Sequence, residues 1–208
     1  MPMGSPERTA ARREEIIRAC EKLYQTMNFK DITLKEIGNE ISFSRPTIYN
    51  YFQTKEEIFL ALYELEYDRW NEDLEKIVEG NDLLSREEVA EGISRSLEKR
   101  VQLLKLLSMN NYDMESNSRP ECLVSFKVSY GKSIMNIRRI LDKFCPDLSE
   151  TDKQSFIYIF FPFMFGIYPY TGVTERQRKA MDEASVGFTY HSVFELTYKC
   201  ITRLLGAA

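Results

Sequence analysis

The sequence predicts an all-α protein of about nine helices, three small ones before residue 53 and longer ones after it. Three observations lead there. Apolar residues recur at helical spacing along most of the chain, as in Ile16, Ile17, Cys20, Leu23, Tyr24 and Met27. Helix-start signals of the Ser/Thr-x-x-Glu/Gln kind precede four of these runs, at Thr33, Thr54, Ser85 and Thr174. Strict apolar–polar alternation, the mark of a half-buried strand, is nearly absent.

In chain order, Ser5-Pro6-Glu7 offers a cap and a proline for the first turn of a helix that stops at Asn28. Thr33 and Glu36 open a short helix to about Glu40 or Ile41. Ser42 and Phe43 form a turn, and Ser44 caps a very short third helix ending near Tyr51 or Phe52. Thr54 opens a long helix with Ile58, Phe59, Leu62, Leu65, Trp70, Leu74 and Ile77 on one side, closing near Gly80. Ser85 starts another that runs toward Met109. Residues 110–120 read as a loop with room for a helical turn inside. A helix from Glu121 to Phe144 stops before Cys145-Pro146, and Ser149 begins one that continues to about Ile167 with a kink at Pro162. Thr174 begins the next, and the last covers Thr189 to Leu205. The change of helix length at Thr54 divides the chain into a head, 1–53, and a body, 54–208.

Composition narrows the function. The 208 residues are 43% hydrophobic, enough for a real core. The net charge of −4 argues against a generally basic coat, yet residues 1–56 carry 9 Lys+Arg against 8 Asp+Glu, so a mildly basic head precedes an acidic body. Cysteines at 20, 122, 145 and 200 form no CxxC pair, and His191 is a lone histidine that reads as a structural hydrogen-bonding residue. No metal and no cofactor is expected. An enzyme is not expected either, because no nucleophile–His–carboxylate arrangement, phosphate loop or metal cluster is present. The N-terminus turns charged at once, so no signal peptide is read and a cytoplasmic protein with reduced thiols is expected. From Gln154 to Thr174 no residue is charged, a length that could span a bilayer. Pro162, Gly166, Pro169 and Gly172 inside it favour a buried helix, and no membrane partner is expected.

The stretch ISFSRPTIYNYFQTKEEIF (41–59) carries the functional reading. Helix, tight turn and short helix form a helix-turn-helix, whose second helix enters the major groove of duplex DNA. Thr33, Thr47, Tyr49 and Tyr51 offer hydroxyls to phosphates, Ser44 joins them as a DNA-contact candidate, and Lys55 adds charge at a helix start. Arg45 suits guanine and Asn50 adenine, while Pro46 and the Thr47 methyl suit thymine methyls. Ile48 and Phe52 are assigned to the head's own core with Leu23, Leu34 and Ile37.

From Arg13 to Trp70 the chain resembles the TetR (tetracycline-repressor-like) family of bacterial transcriptional regulators. The resemblance rests on REEIIRACEKLYQTMNFKDITLKEIGNEI followed by FSRPTIYNYFQTKEEIF, where Ser44, Thr47, Tyr49, Tyr51, Phe52, Lys55 and Glu56 fall on the family pattern. Four positions depart from it. Ile41-Ser42 stands where the family has Ala-Gly, so a serine is expected to strain a left-handed turn; Gly38 replaces a common alanine; Asn28 replaces a frequent glycine. The resemblance implies a homodimeric repressor on a palindromic operator, released when a small-molecule effector enters the body and shifts the fourth helix. It implies a dimer interface on the last two long helices, with Tyr158, Phe194, Tyr198 and Ile201 as candidates. Candidate effector contacts are Met109, Tyr112, Phe126 and Tyr130, together with Phe161, Met164, Phe165 and Tyr168, and the uncharged run predicts a largely apolar or uncharged ligand. The alternative is a helical interaction protein whose helix-turn-helix has lost DNA binding.

Overall fold

The computed structural model describes residues 5–109 and 111–207, and no strand occurs among them. Helices α1 (Pro6–Thr26) and α2 (Leu34–Asn39) are followed by a 3-10 helix, Arg45–Asn50. Then come α3 (Lys55–Glu79), α4 (Arg86–Glu98), α5 (Val101–Leu107), α6 (Asn111–Ser116) and α7 (Pro120–Phe144). The chain continues through α8 (Glu150–Thr171) and α9 (Glu175–Glu183) to α10 (Val193–Leu205). They group into two compact units, the described residues of 1–65 with 110–128, and those of 66–109 with 129–208. Thr54, where helix length changes in the sequence, lies inside the first unit.

In the first unit, the Ser5 hydroxyl accepts from the Arg8 amide, and Pro6 occupies the first turn of α1 as expected. Ile16, Ile17, Cys20 and Tyr24 form its buried stripe. Tyr24 and Phe29 both meet Phe59 edge-on, with centroids 5.2 and 4.8 Å away. α1 packs on α2, and α2 on the 3-10 helix.

In the second unit, α10 packs on α4 and α8, and α5 on α8. The buried residues of α10, Val193, Thr197, Ile201 and Leu205, recur every fourth position and make one stripe. Gly206 ends the helix at φ +65°, a left-handed conformation that a side chain would strain. Asn71 on α3 and Asn136 on α7 form a buried amide pair, Nδ2 of Asn136 donating to Oδ1 of Asn71 at 3.2 Å. The Asn71 amide in turn donates to the Ser129 carbonyl at 3.0 Å. A polar pair of this kind is satisfied in one register of the two helices and penalises others.

Four expectations need correction. The third helix is present as a 3-10 helix, but Ser44, expected to cap it, makes no capping hydrogen bond with its side chain. The run from Ser85 toward Met109 is two helices: Arg100 leaves helical geometry (φ −110°, ψ 41°), its guanidinium drawn to Asp73 at 3.1 Å and to the Arg69 carbonyl at 3.1 Å. Val101, which an unbroken helix would bury one turn after Leu97, is 49% exposed instead. α8 runs on to Thr171 and contains both Pro162 and Pro169. The last helix begins at Val193, where Ser192 and Glu195 form a reciprocal capping box that the sequence reading overlooked.

The uncharged run is a core helix on one side. Phe156, Phe160, Phe161, Met164 and Ile167 are buried, whereas Tyr158, Ile159, Phe165 and Tyr170 are exposed. Among the described residues no single helix is long and apolar enough to cross a membrane; α8 meets α9 at an 84° bend.

Candidate nucleic-acid interface

The interface is built by what the 3-10 helix buries. Ile48 and Phe52 lie at 0% and 2% exposure, beside the buried Ile37 of α2. Burying that edge turns Ser44, Arg45, Pro46, Tyr49 and Asn50 outward, and all five are exposed. Thr47 and Tyr51 are half-buried. The helix begins when the Thr47 amide bonds the Ser44 carbonyl at 2.9 Å, and the Ser44 and Thr47 hydroxyls lie 2.9 Å apart. It ends with the Tyr51 and Phe52 amides both on the Ile48 carbonyl, at 2.9 and 3.0 Å.

The turn before it is held by an acid. Glu15 of α1 accepts from the Ser42 amide and, at 3.1 Å, from its hydroxyl. Ser42 does not take positive φ, so the strain expected of a serine there does not arise; a side chain from α1 does what a left-handed glycine would do. The Arg12 guanidinium sits 5.2 Å above the Phe43 ring and that of Arg13 sits 5.5 Å from the Phe52 ring.

Two expected phosphate ligands have intramolecular partners. The Thr33 hydroxyl accepts from the Lys35 amide at 3.1 Å and bonds the Glu36 carboxylate, whose pKa is lowered first by that bond. The Lys55 ammonium donates to the carbonyls of Phe29 and Ile32 at 2.9 and 3.2 Å and stands 4.0 Å from the Phe29 ring. Its first structural role is therefore to tie the α1–α2 connection to the start of α3.

Behind the outward face lies an ion pair that no local pattern announced. Glu57 is 1% exposed and accepts four bonds. Arg119 supplies Nε at 2.7 Å, Nη2 at 3.0 Å and its backbone amide at 3.1 Å, and the Gln53 amide lies at 2.7 Å. Burial opposes ionisation of Glu57, but the guanidinium and the two amides outweigh it, and the carboxyl is held below the ordinary range. Arg119 also donates to the Tyr51 carbonyl at 3.2 Å, so it grips the end of the 3-10 helix. The sequence offered Glu57 only as the far member of a Thr54 capping box; its partner is 62 residues away.

The expected effector contacts are only partly brought together. Tyr130 and Phe161 meet edge-on at 5.6 Å, joined by Tyr67 and Trp70, which the sequence reading did not include. The Trp70 indole N–H donates to Ser96 at 2.9 Å. Met164 is buried, while Met109 and Tyr168 are half-buried. Phe126 packs on Tyr63 at 5.3 Å in the first unit. Tyr112, at 82% exposure, and Phe165, at 37%, are surface residues, which removes them from an enclosed cavity. An open recess of about 610 Å³ is lined by Ile134, Met135, Arg138, Arg139, Gln154, Ile157 and Tyr158.

Of the four interface candidates, Tyr158 is exposed, and Phe194 and Tyr198 are half-buried, stacked on each other at 5.6 Å. Ile201 is a correction: at 0% exposure it is spent on the core of its own unit. His191 Nδ1 lies 3.7 Å from the Glu195 carboxylate. Among the described residues no cluster of His, Cys, Asp and Glu could hold a metal.

Two family models match this chain. One, described as "Tetracyclin repressor-like, C-terminal domain", covers residues 64–204, and another, "Bacterial regulatory proteins, tetR family", covers residues 16–62. The chain belongs to the TetR family. It is a transcriptional regulator of that family, with the helix-turn-helix at its N-terminal end. Among solved TetR-like folds it is similar to a transcriptional regulator FadR from Bacillus subtilis in complex with stearoyl-CoA (TM-score 0.61, 14% identity, 94% of this chain and 98% of that one). It is also similar to the fatty acid degradation regulator FadR from Bacillus halodurans (TM-score 0.59, 13% identity, 99% and 97%). A TetR/AcrR regulator from Thermobifida fusca gives a TM-score of 0.57 at 18% identity, covering 94% and 97%. At these identities the likeness is one of fold. In sequence, the uncharacterized HTH-type transcriptional regulator YfiR of Bacillus subtilis (strain 168) is 31% identical over 78 residues, which span 38% of this chain and 38% of that relative.

Proposed function

We propose that this TetR-family regulator acts as a homodimeric repressor that binds a palindromic operator through the outward face of the 3-10 helix and is released by a largely apolar effector. One observation carries the DNA reading: Ile48 and Phe52 are sealed inside while Arg45, Pro46, Tyr49 and Asn50 stand exposed on one short rod. Arg45 serves as the guanine reader and Asn50 as the adenine reader, with Ser44, Thr47, Tyr49 and Tyr51 on phosphates. Lys55 and Thr33 contribute by fixing the frame as well as by charge and hydroxyl, since both already hold backbone or side-chain partners. The dimer reading is supported by the apolar residues that α8 leaves exposed, Tyr158 and Ile159 above all. The effector reading is supported by the uncharged run of α8 and by the aromatic cluster of Tyr67, Trp70, Tyr130 and Phe161. The stearoyl-CoA in the similar FadR fold makes a long acyl thioester the first compound to try.

The test is a gel shift of the full-length protein on DNA from upstream of its own gene. Binding that weakens about 10-fold or more between 50 and 200 mM salt, with Arg45→Ala shifting base preference, supports the reading. Retained operator binding and preference in Arg45→Ala would overturn the assignment of the contact face. Failure to bind any duplex would favour an interaction protein that has lost DNA binding. Light scattering gives the oligomeric state, and thermal shift with stearoyl-CoA against free coenzyme A and small ionic compounds gives the ligand class; a response that does not need the acyl chain would sink the apolar reading.

A further inference from the structure

Gly38 is the fifth of the six residues of α2, and glycine is a poor helix former there as elsewhere inside a helix. Its backbone does not require it, because among the described glycines positive φ is found at Gly206 alone. Space does require it. A Cβ built at position 38 would lie 2.8 Å from Cγ, 3.0 Å from Cβ and 3.1 Å from Cδ of Arg45. The aliphatic stem of Arg45 therefore rests directly against the bare backbone of α2. Nor can the stem simply step back. Arg45 opens the 3-10 helix, Pro46 follows it with a fixed φ, and the first turn is closed by the Ser44–Thr47 bonds.

We propose that Gly38 is a positioning residue for base recognition: by leaving room for the Arg45 stem, it aims the guanidinium and so sets the base pair at which the 3-10 helix discriminates. The inference rests on the DNA reading above and deepens it. Paired contact of a guanidinium with the guanine edge needs its plane and distance correct together. A stem confined against a helix has fewer rotamers to lose on binding, so more of the contact appears as selectivity. A methyl at position 38 must displace atoms at the root of that side chain, and the guanidinium at its far end moves by more.

The experiment is a double-mutant cycle on the full-length protein, Gly38→Ala, Arg45→Ala and both together. Each variant is measured by fluorescence anisotropy on the duplex selected by wild type from a randomised pool, on its single-base-pair variants, and on an unrelated duplex. The expected result is that G38A flattens preference at the same base pair as R45A, by about 10-fold or more. Affinity of G38A for the unrelated duplex should change less than about 2-fold, and its melting temperature should hold or rise. In the R45A background, G38A should add nothing. If G38A leaves the preference intact, or costs as much in the R45A background as alone, the positioning role is overturned. If R45A itself leaves preference intact, the assignment of Arg45 as a reader fails, and a wild type that binds no duplex at all refutes the DNA reading; either result takes the proposal with it. Should G38A melt too early to assay, truncating Arg45 in the double variant raises its melting temperature by removing the Cγ and Cδ contacts, with the 3.0 Å contact to Cβ left in place. A double variant that melts as low as G38A overturns the proposal.

Discussion

Arg119→Ala is the sharpest test of how the head is held. Glu57 is shut away from water and takes two of its four bonds from the Arg119 side chain. Truncation leaves that carboxylate with the two backbone amides, from Gln53 and from residue 119 itself. A hydrogen bond to a buried charge contributes about 1.5–3 kcal/mol, and a fully buried pair broken from one side costs about 3–5 kcal/mol. The Arg119 side chain is 35% exposed, so solvent already screens part of the attraction. We therefore expect a loss of about 2–4 kcal/mol, or roughly 4–16 °C in melting temperature for a chain of this length. The Tyr51 carbonyl also loses its Arg119 donor, so the end of the 3-10 helix should loosen. Calorimetry measures the first effect and hydrogen exchange at the Tyr51–Gln53 amides the second. Because an uncharged partner removes the buried charge, Glu57→Gln/Arg119→Ala should melt above Arg119→Ala alone. A single variant that melts within about 1 °C of wild type, or a double variant below the single, would refute the reasoning.

Three further outcomes are expected. Glu57, Glu75, Glu88, Asp142, Glu150 and Glu195 all have carboxyl pKa values held below the ordinary range by bonds in the folded state. Their contribution is thus present above the unfolded value of about 4 and is lost as pH falls through the lower folded values, so melting temperature should fall steeply below about pH 4 and stay nearly flat from 5 to 8. Asn136→Ala leaves the Oδ1 of buried Asn71 without its donor and should cost about 1–3 kcal/mol, read by urea denaturation; replacing both asparagines by leucine should cost less per site. Ser192→Ala removes the cap that accepts from the Glu195 amide at 3.1 Å and should cost about 0.5–2 kcal/mol, whereas Ser192→Asp should be nearly neutral.

The sequence disclosed features whose causes are local. Ser5, Thr33, Ser85, Ser149 and Thr174 each cap the helix they were expected to start, because a cap needs only its own next few residues. The exposed face of the 3-10 helix followed from the spacing of Ile48 and Phe52. What stayed hidden was set by partners distant along the chain. The break at Arg100 comes from Asp73, the form of the Ser42 turn from Glu15, and the closure of Glu57 from Arg119. Val101 shows the limit plainly: its spacing from Leu97 suits a buried stripe, but a guanidinium captured by another helix turns it to solvent. The effector contacts were the least legible, since aromatic residues on α3, α7 and α8 look alike until packing separates Phe161 from Phe165.

The two prolines of α8 have a consequence for whatever settles on its outer side. Each lacks an amide hydrogen, so Pro162 and Pro169 deprive the carbonyls of Tyr158 and Phe165 of the donor that an unbroken ladder would supply. Both of those residues face outward. An oily seal laid over this side would strand two oxygen lone pairs in a dry environment, whereas a surface bringing hydroxyls, amides or trapped water would quench them. The outer side of α8, apolar as its side chains are, thus asks its occupant for hydrogen-bond donors.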